Sequence, residues 1–260
     1  MQIAIIGAGN IGQAIAGGFI RNKAVEPEKL IVSDVCEASL AAIQKIDSNI
    51  TTTKNNKEAA AKASMLILAV KPWLVQAVLF DIAKEISDDK IIVSCAAGID
   101  FDFLSHTIDK QIALFRVMPN TAISIGESMT LIASQDTSKA QDDFVVSLFS
   151  KLGKALLISD NLMGAATSVA SCGIAYALRY LRASTVGAVE LGFTPETASL
   201  LVAQTMKGAA ALMLTNQTHP EIEIDKVTTP GGWTIKGLNE MEAHGFSNAV
   251  IKGLKANRNS

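Results

Sequence analysis

The 260 residues are 49% hydrophobic and 18% charged, with a net charge of −2. That balance supplies apolar surface for more than one core and excludes an intrinsically disordered chain, while the lack of any Lys/Arg cluster argues against a nucleic-acid surface. Three scattered cysteines (Cys36, Cys95, Cys172) and three isolated histidines (His106, His219, His244) give no disulfide framework and no metal-ligand spacing, so no metal is expected.

The opening Met1-Gln2-Ile3-Ala4-Ile5-Ile6-Gly7 has no basic segment and no long apolar run, so no secretory signal is expected. Later apolar stretches are broken by charge or glycine before the roughly 20 residues a membrane span needs. A soluble, reducing, cytoplasmic setting without membrane contact is expected. Aliphatic runs of strand length occur at 3–6, 30–33, 65–70, 91–95, 112–118, 129–134 and 155–159, the pattern of parallel strands buried on both faces. Helical segments alternate with them, among them 11–21, 73–86 and 138–151. Such alternation implies right-handed crossovers and a doubly wound, mostly parallel sheet. Near Asp160 the pattern changes, and no strand is expected beyond it. Residues 171–191 read as one long helix stopped by Gly192. Thr194, Pro195 and Glu196 then cap and start a helix running to about Thr215. Ala198, Leu201, Val202, Met206, Ala209, Ala210 and Met213 leave that helix little polar face, so it is expected to be buried all round. A helical tail of this size has little core of its own, so a partner subunit is expected to cover it; packing on the chain's own sheet domain alone is the alternative. The fold class is α/β plus all-α, with a Rossmann-type dinucleotide-binding domain over 1–159 and a helical dimerisation and substrate-binding domain over 160–260.

Gly7-Ala8-Gly9-Asn10-Ile11-Gly12 follows the first strand and opens the first helix. Gly7 allows the tight turn, Gly9 lets backbone approach a pyrophosphate, and Gly12 lets the helix pack closely on the strand. A pyrophosphate there meets free amides and the positive end of the helix dipole; the alternative is a tight turn without a cofactor. Asp34 ends the second run near the position of the acidic residue that binds a ribose 2'-hydroxyl, which favours NAD. Asp34 as a turn or capping residue is the other reading. Ser33 offers a donor to a 2'-phosphate, as do Lys54, Asn55, Asn56 and Lys57, so NADP stays open as well.

Ligands of such sheets bind at the carboxyl ends of strands. Three strand ends carry unusual residues: Ala69-Val70-Lys71-Pro72-Trp73, Cys95-Ala96-Ala97-Gly98 and Arg116-Val117-Met118-Pro119-Asn120-Thr121. The small residues after Cys95 would let a nicotinamide ring lie against backbone. Asn120 could hold the carboxamide or the substrate. Lys71 either offers positive charge to cofactor or substrate or is a solvated loop lysine.

These segments, with the glycine loop, resemble in order the motifs of the pyrroline-5-carboxylate reductase family, and the resemblance covers nearly the whole chain. Its most specific piece is Val227-Thr228-Thr229-Pro230-Gly231-Gly232-Trp233-Thr234-Ile235-Lys236-Gly237-Leu238, similar to the family's Ser/Thr-Pro-Gly-Gly segment followed by Thr. The resemblance implies the last step of proline synthesis, reduction of pyrroline-5-carboxylate to proline by NADPH or NADH. It also implies an intertwined homodimer, often assembled into larger rings such as decamers. Two positions depart from the family pattern. Ser171-Cys172-Gly173-Ile174-Ala175-Tyr176 replaces Gly-Ser-Gly-Pro-Ala-Tyr, and Trp233 stands where a small residue is usual. The indole either narrows the substrate pocket or points into the helical core.

Pro230-Gly231-Gly232 leads into a helix with Ile235, Leu238 and Met241 on its apolar stripe and Gly245 at its end. Residues Thr229 to Thr234 thus surround a helix N-terminus, where free amides form an anion site for a substrate carboxylate; a capped helix start with two turn glycines is the alternative. Thr234 would hydrogen-bond the imine nitrogen and relay a proton from water, since threonine is a poor acid. Placement of two reactants at hydride distance is worth ~7–11 kcal/mol. The active site is expected between the two domains, with the helix start supplied from the same chain or its partner. The competing functions are a reductase of another cyclic imine or of a hydroxy acid, and a non-catalytic NADP(H)-binding paralogue.

Overall fold

The computed structural model describes residues 1–256. These fall into two compact units that meet in sequence at Ser171 and Cys172.

The first unit opens with β1 (Ile3–Ile6), α1 (Asn10–Arg21), β2 (Leu30–Ser33), α2 (Glu37–Ile46), β3 (Thr51–Thr53) and α3 (Asn56–Lys62). It continues through β4 (Met65–Leu68), α4 (Val75–Asp81), β5 (Ile91–Ser94), α5 (Phe101–Ile108) and β6 (Ala113–Met118). It closes with β7 (Ser128–Gln135), α6 (Lys139–Ser150), β8 (Gly153–Leu157) and α7 (Met163–Thr167). The strands form one sheet in the order β3-β2-β1-β4-β5-β6-β7-β8. All neighbouring pairs are parallel except β6 with β7. The doubly wound, mostly parallel expectation therefore holds.

Alternation along each inner strand divides the core in two. Ile3, Ile5, Leu30 and Val32 face Ile15, Phe19, Ile43 and Phe149 from α1, α2 and α6. Ala4, Ile6, Ile31 and Leu68 face Ala59, Val75, Leu79 and Leu104 from α3, α4 and α5. The strand period of two thus sends neighbouring aliphatics into opposite helical layers, which is why the runs carry no polar alternation.

Several expectations are corrected. The segment 73–86 is helical only as a 3-10 turn (Pro72–Leu74) followed by α4, which ends at Asp81. The all-threonine β3 was not expected; it is short and polar, and an edge position tolerates both. The last strand, β8, is not buried on both faces: Leu156 and Leu157 are 50% and 40% exposed, because β8 has a neighbour on one side only. Helix start and stop chemistry at 138–151 is as expected. Ser138 and Gln141 form a reciprocal capping box at the start of α6.

The second unit is helical throughout, with no strand among its described residues. It contains α8 (Gly173–Glu190), α9 (Pro195–Asn216), α10 (Pro220–Lys226), α11 (Trp233–Ala243) and α12 (Phe246–Ala256). The helix expected at 171–191 is preceded by helical residues, since α7 and a π-helical turn at Ser168–Cys172 lead into it. Gly192 follows its end in the left-handed region, φ 101°. Thr194 caps α9 through the amide of Thr197, and Pro195 takes the first helical position. Tyr180 meets Phe246 edge-on at 6.2 Å, tying α8 to α12.

Ala198 is the one buried residue among the described residues of this unit. In the single chain α9 is therefore not buried all round; Leu200 and Leu214 are 70% and 73% exposed. By length and composition, the helical runs Asp160–Glu190 and Pro195–Asn216 would reach across a bilayer. Arg179, Arg182 and Gly187 nevertheless interrupt the first run and Lys207 and Gly208 the second, as expected from the sequence.

Candidate functional site

In the sheet unit the first residue after each of four strands faces one crevice. Gly7 follows β1, Asp34 follows β2, Ala69 follows β4 and Cys95 follows β5. The chain winds outward from β1 through β2 and β3, then returns to place β4 on the other side of β1. The crevice opens at that reversal of winding, where open α/β sheets bind ligands. Its volume is about 490 Å³, within the range of small-molecule sites. Gly9, Asn10, Ile11, Val70, Lys71, Pro72, Ala96 and Ala97 complete most of the lining, with Leu74.

The glycine loop is shaped for an approaching ligand. Gly7 has φ 105°, and its amide donates to Ser33 O at 2.7 Å. A Cβ on Gly12 would lie 1.9 Å from Gly7 O, so only glycine lets α1 start here. A Cβ on Gly9 would meet nothing within 4 Å, which leaves open space beside the helix start. Gly9 is also the N-cap of α1 and supplies no side-chain cap. The first-turn amides of α1 therefore remain available to an anion. These features fit the pyrophosphate of a dinucleotide.

Asp34 does more than close the second strand. Its Oδ2 accepts from the amide of Ala8 at 2.6 Å, and its Oδ1 from the amide of Cys36 at 2.8 Å. The carboxylate thereby joins β2 to the glycine loop while it lines the crevice. Cys95 also lines the crevice; burial pushes its thiol up to about 12, which favours the protonated thiol at neutral pH.

Other residues expected at the cofactor lie elsewhere. Ala8 and Gly12 are buried behind the loop they shape. Ser33 is buried, and its hydroxyl donates to Asn56 Oδ1 at 2.6 Å, so that hydrogen is not offered to a phosphate. Gly98 does not line the crevice; its φ of 77° serves the turn before α5. Asn120 is likewise outside the lining. Its Oδ1 caps the 3-10 turn Thr121–Ile125 through the amide of Ala122, and its Nδ2 donates to Ala170 O at 3.0 Å. Arg116 is partly buried in an ion pair with Asp160. Leu74 is the lining residue that the sequence reading missed. Its signal was an exposed apolar residue just after the Lys-Pro strand end.

In the helical unit, Thr229-Pro230-Gly231-Gly232 forms a tight turn in which the Gly232 amide donates to Thr229 O at 2.9 Å. Proline fixes the second position, and Gly231 takes φ 69° at the third, the demand of a type II turn. Gly232 is the N-cap of α11, again with no side-chain cap. Thr234 is the second residue of the helix and is exposed. The turn thus presents uncapped helix amides beside the hydroxyls of Thr229 and Thr234, an arrangement suited to a carboxylate.

Residues 160–260 match a family model described as pyrroline-5-carboxylate reductase dimerisation. Residues 2–98 match one described as NADP oxidoreductase, coenzyme F420-dependent. Pyrroline-5-carboxylate reductase 2 of Dictyostelium discoideum is 36% identical, over 97% of this chain and 89% of its own length.

The chain belongs to the pyrroline-5-carboxylate reductase family.

The reductase of Methanosarcina acetivorans is 34% identical, over 99% of this chain and 97% of its own. The chain spans about half, 48%, of Dictyostelium reductase 1, which is 35% identical. Among solved structures, the Coxiella burnetii pyrroline-5-carboxylate reductase superposes with a TM-score of 0.93 at 27% identity, covering 99% of this chain and 96% of that one. The two departures from the reductase pattern are now placed. Ile174 is the second residue of α8, just after the π-helical turn. Trp233 is the first residue of α11 and is 88% exposed, so its indole is not packed in the core of its own unit.

Proposed function

We propose that the chain reduces 1-pyrroline-5-carboxylate to L-proline with a reduced nicotinamide dinucleotide, working as a homo-oligomer in the cytoplasm. The carrying observation is the Thr229–Thr234 turn: uncapped amides, two glycines and two hydroxyls at one helix tip, in the segment where the family signature lies. That tip is assigned to the substrate carboxylate and imine, with Thr229, Pro230, Gly231, Gly232 and Thr234 around it. The dinucleotide is assigned to the crevice of the sheet unit, with its pyrophosphate at Gly9, Asn10 and Ile11 and the ring end along Ala96 and Ala97. The bound dinucleotide supplies hydride. The chain's own residues bind, orient and protect the partners. Thr234 donates to the imine nitrogen and steers a proton from water to it, and the apolar lining limits water at the crevice. The domain bounds 1–159 and 160–260 are proposed as the two functional halves, dimers as the unit of assembly, and decamers as a larger form.

Removing the Thr234 hydroxyl deletes one hydrogen bond to the nitrogen that takes up the C=N electron pair as hydride adds to carbon. Thr234→Ala should therefore lower kcat/KM by roughly 10- to 100-fold, while the Kd for dinucleotide is unchanged. Equal loss of both would make Thr234 a structural residue. The exposed Trp233 beside Thr234 favours a second reading, in which a different cyclic imine is the preferred substrate. A panel of cyclic imines with and without a ring carboxylate separates the two: pyrroline-5-carboxylate should give the highest kcat/KM.

A further inference from the structure

We infer that this chain selects NADH over NADPH, and that Asp34 is the selecting residue. The inference rests on the assignment of the dinucleotide to the crevice.

The carboxylate lies in the crevice wall at the end of β2. Its two oxygens accept from the amides of Ala8 and Cys36, at 2.6 and 2.8 Å. These bonds hold the group in place without neutralising it, and a carboxylate has about four acceptor positions, so both oxygens can still accept. A ribose diol can donate to them. A 2'-phosphate can only bring a second negative charge.

The lysines that follow β3 already have acidic partners. Lys54 pairs with Glu37, and Lys57 with Asp81 at 3.1 Å. The Ser33 hydroxyl donates to Asn56. Lys71 lines the same crevice, but it follows β4 while Asp34 follows β2, with β1 between them. Two strand spacings put it roughly 10 Å away across the sheet. The surroundings of Asp34 are thus built for a neutral hydrogen-bond donor and not for a dianion.

Two like charges a few ångströms apart at a partly shielded surface repel by more than the 1.4 kcal/mol that separates tenfold affinities. Titration of the full chain with NADH and with NADPH, followed by dinucleotide fluorescence, should give a Kd for NADH lower by at least about tenfold. Asp34→Asn keeps an oxygen for the Ala8 amide and removes the charge, so the preference should fall several-fold; Asp34→Ser should move it further toward NADPH. The ratio is the readout, since a loosened glycine loop weakens both ligands together. Equal or tighter binding of NADPH by the native chain overturns the inference, as does a ratio unchanged in both variants. NADPH binding equal to or tighter than NADH binding overturns the selectivity alone, whereas binding of neither dinucleotide overturns the assignment of the crevice as well.

Discussion

Two glycines three positions apart in the first loop answer to different constraints. At Gly12 a methyl group would collide with the backbone carbonyl of Gly7, while at Gly9 it would meet open space. Gly12→Ala should therefore destabilise the fold by about 1–3 kcal/mol or more, read as a lower midpoint in urea denaturation. Gly9→Ala should leave that midpoint within about 0.5 kcal/mol and still abolish dinucleotide binding, because the new methyl occupies the approach to the helix amides. A Gly9→Ala chain that binds dinucleotide normally would remove the pyrophosphate from this loop. The packing role of Gly12 was legible in the sequence, since a glycine pattern between strand and helix has few other physical uses. The roles of Asn120 and Ser33 were not. A buried Asn or Ser is satisfied by whichever backbone lies near it, and its partners here, Ala170 and Asn56, lie 50 and 23 residues away in sequence.

Among the elements, aliphatic runs and helix caps were readable because they depend on neighbours in sequence. The Thr194-Pro195-Glu196 start and the Ser138 capping box are examples. The reversed direction of β7 and the one-sided burial of β8 depend on which strands pair, and composition does not encode that. The link between α9 and α10 carries a pH-sensitive brace. Glu223 Oε1 accepts from Lys226, Thr218 and Asn216, and these donors lower its carboxyl from 4.5 to about 2. A depressed acid stabilises the fold above its unfolded value and ceases to do so as pH falls through the folded one. The brace is thus complete above about pH 4.5 and lost toward pH 2. Glu223→Gln should lower Tm at pH 7, and the gap to the native chain should narrow at pH 3. A gap that is constant with pH would show that the carboxylate charge does not matter there.

Across the whole molecule, the helical unit has a single buried residue among those described, yet it displays Leu200, Leu212 and Leu214. Apolar helices this exposed need a cover, and the family's dimerisation segment at 160–260 is where a second copy would supply it. Light scattering after gel filtration should give a mass of at least two chains at micromolar concentration, and Leu200→Glu should lower it. A native monomer would contradict the assembly. The need for a partner was visible in the sequence as a long helix with almost no polar face. Its cover was not, because one chain contains only half of such an interface. The reduction itself is tested most directly by incubating the chain with pyrroline-5-carboxylate and dinucleotide deuterated at the transferable position, then weighing the proline formed. The account predicts proline carrying one deuterium, on the ring carbon that was doubly bonded to nitrogen. Absence of proline, or proline without the label, would contradict it.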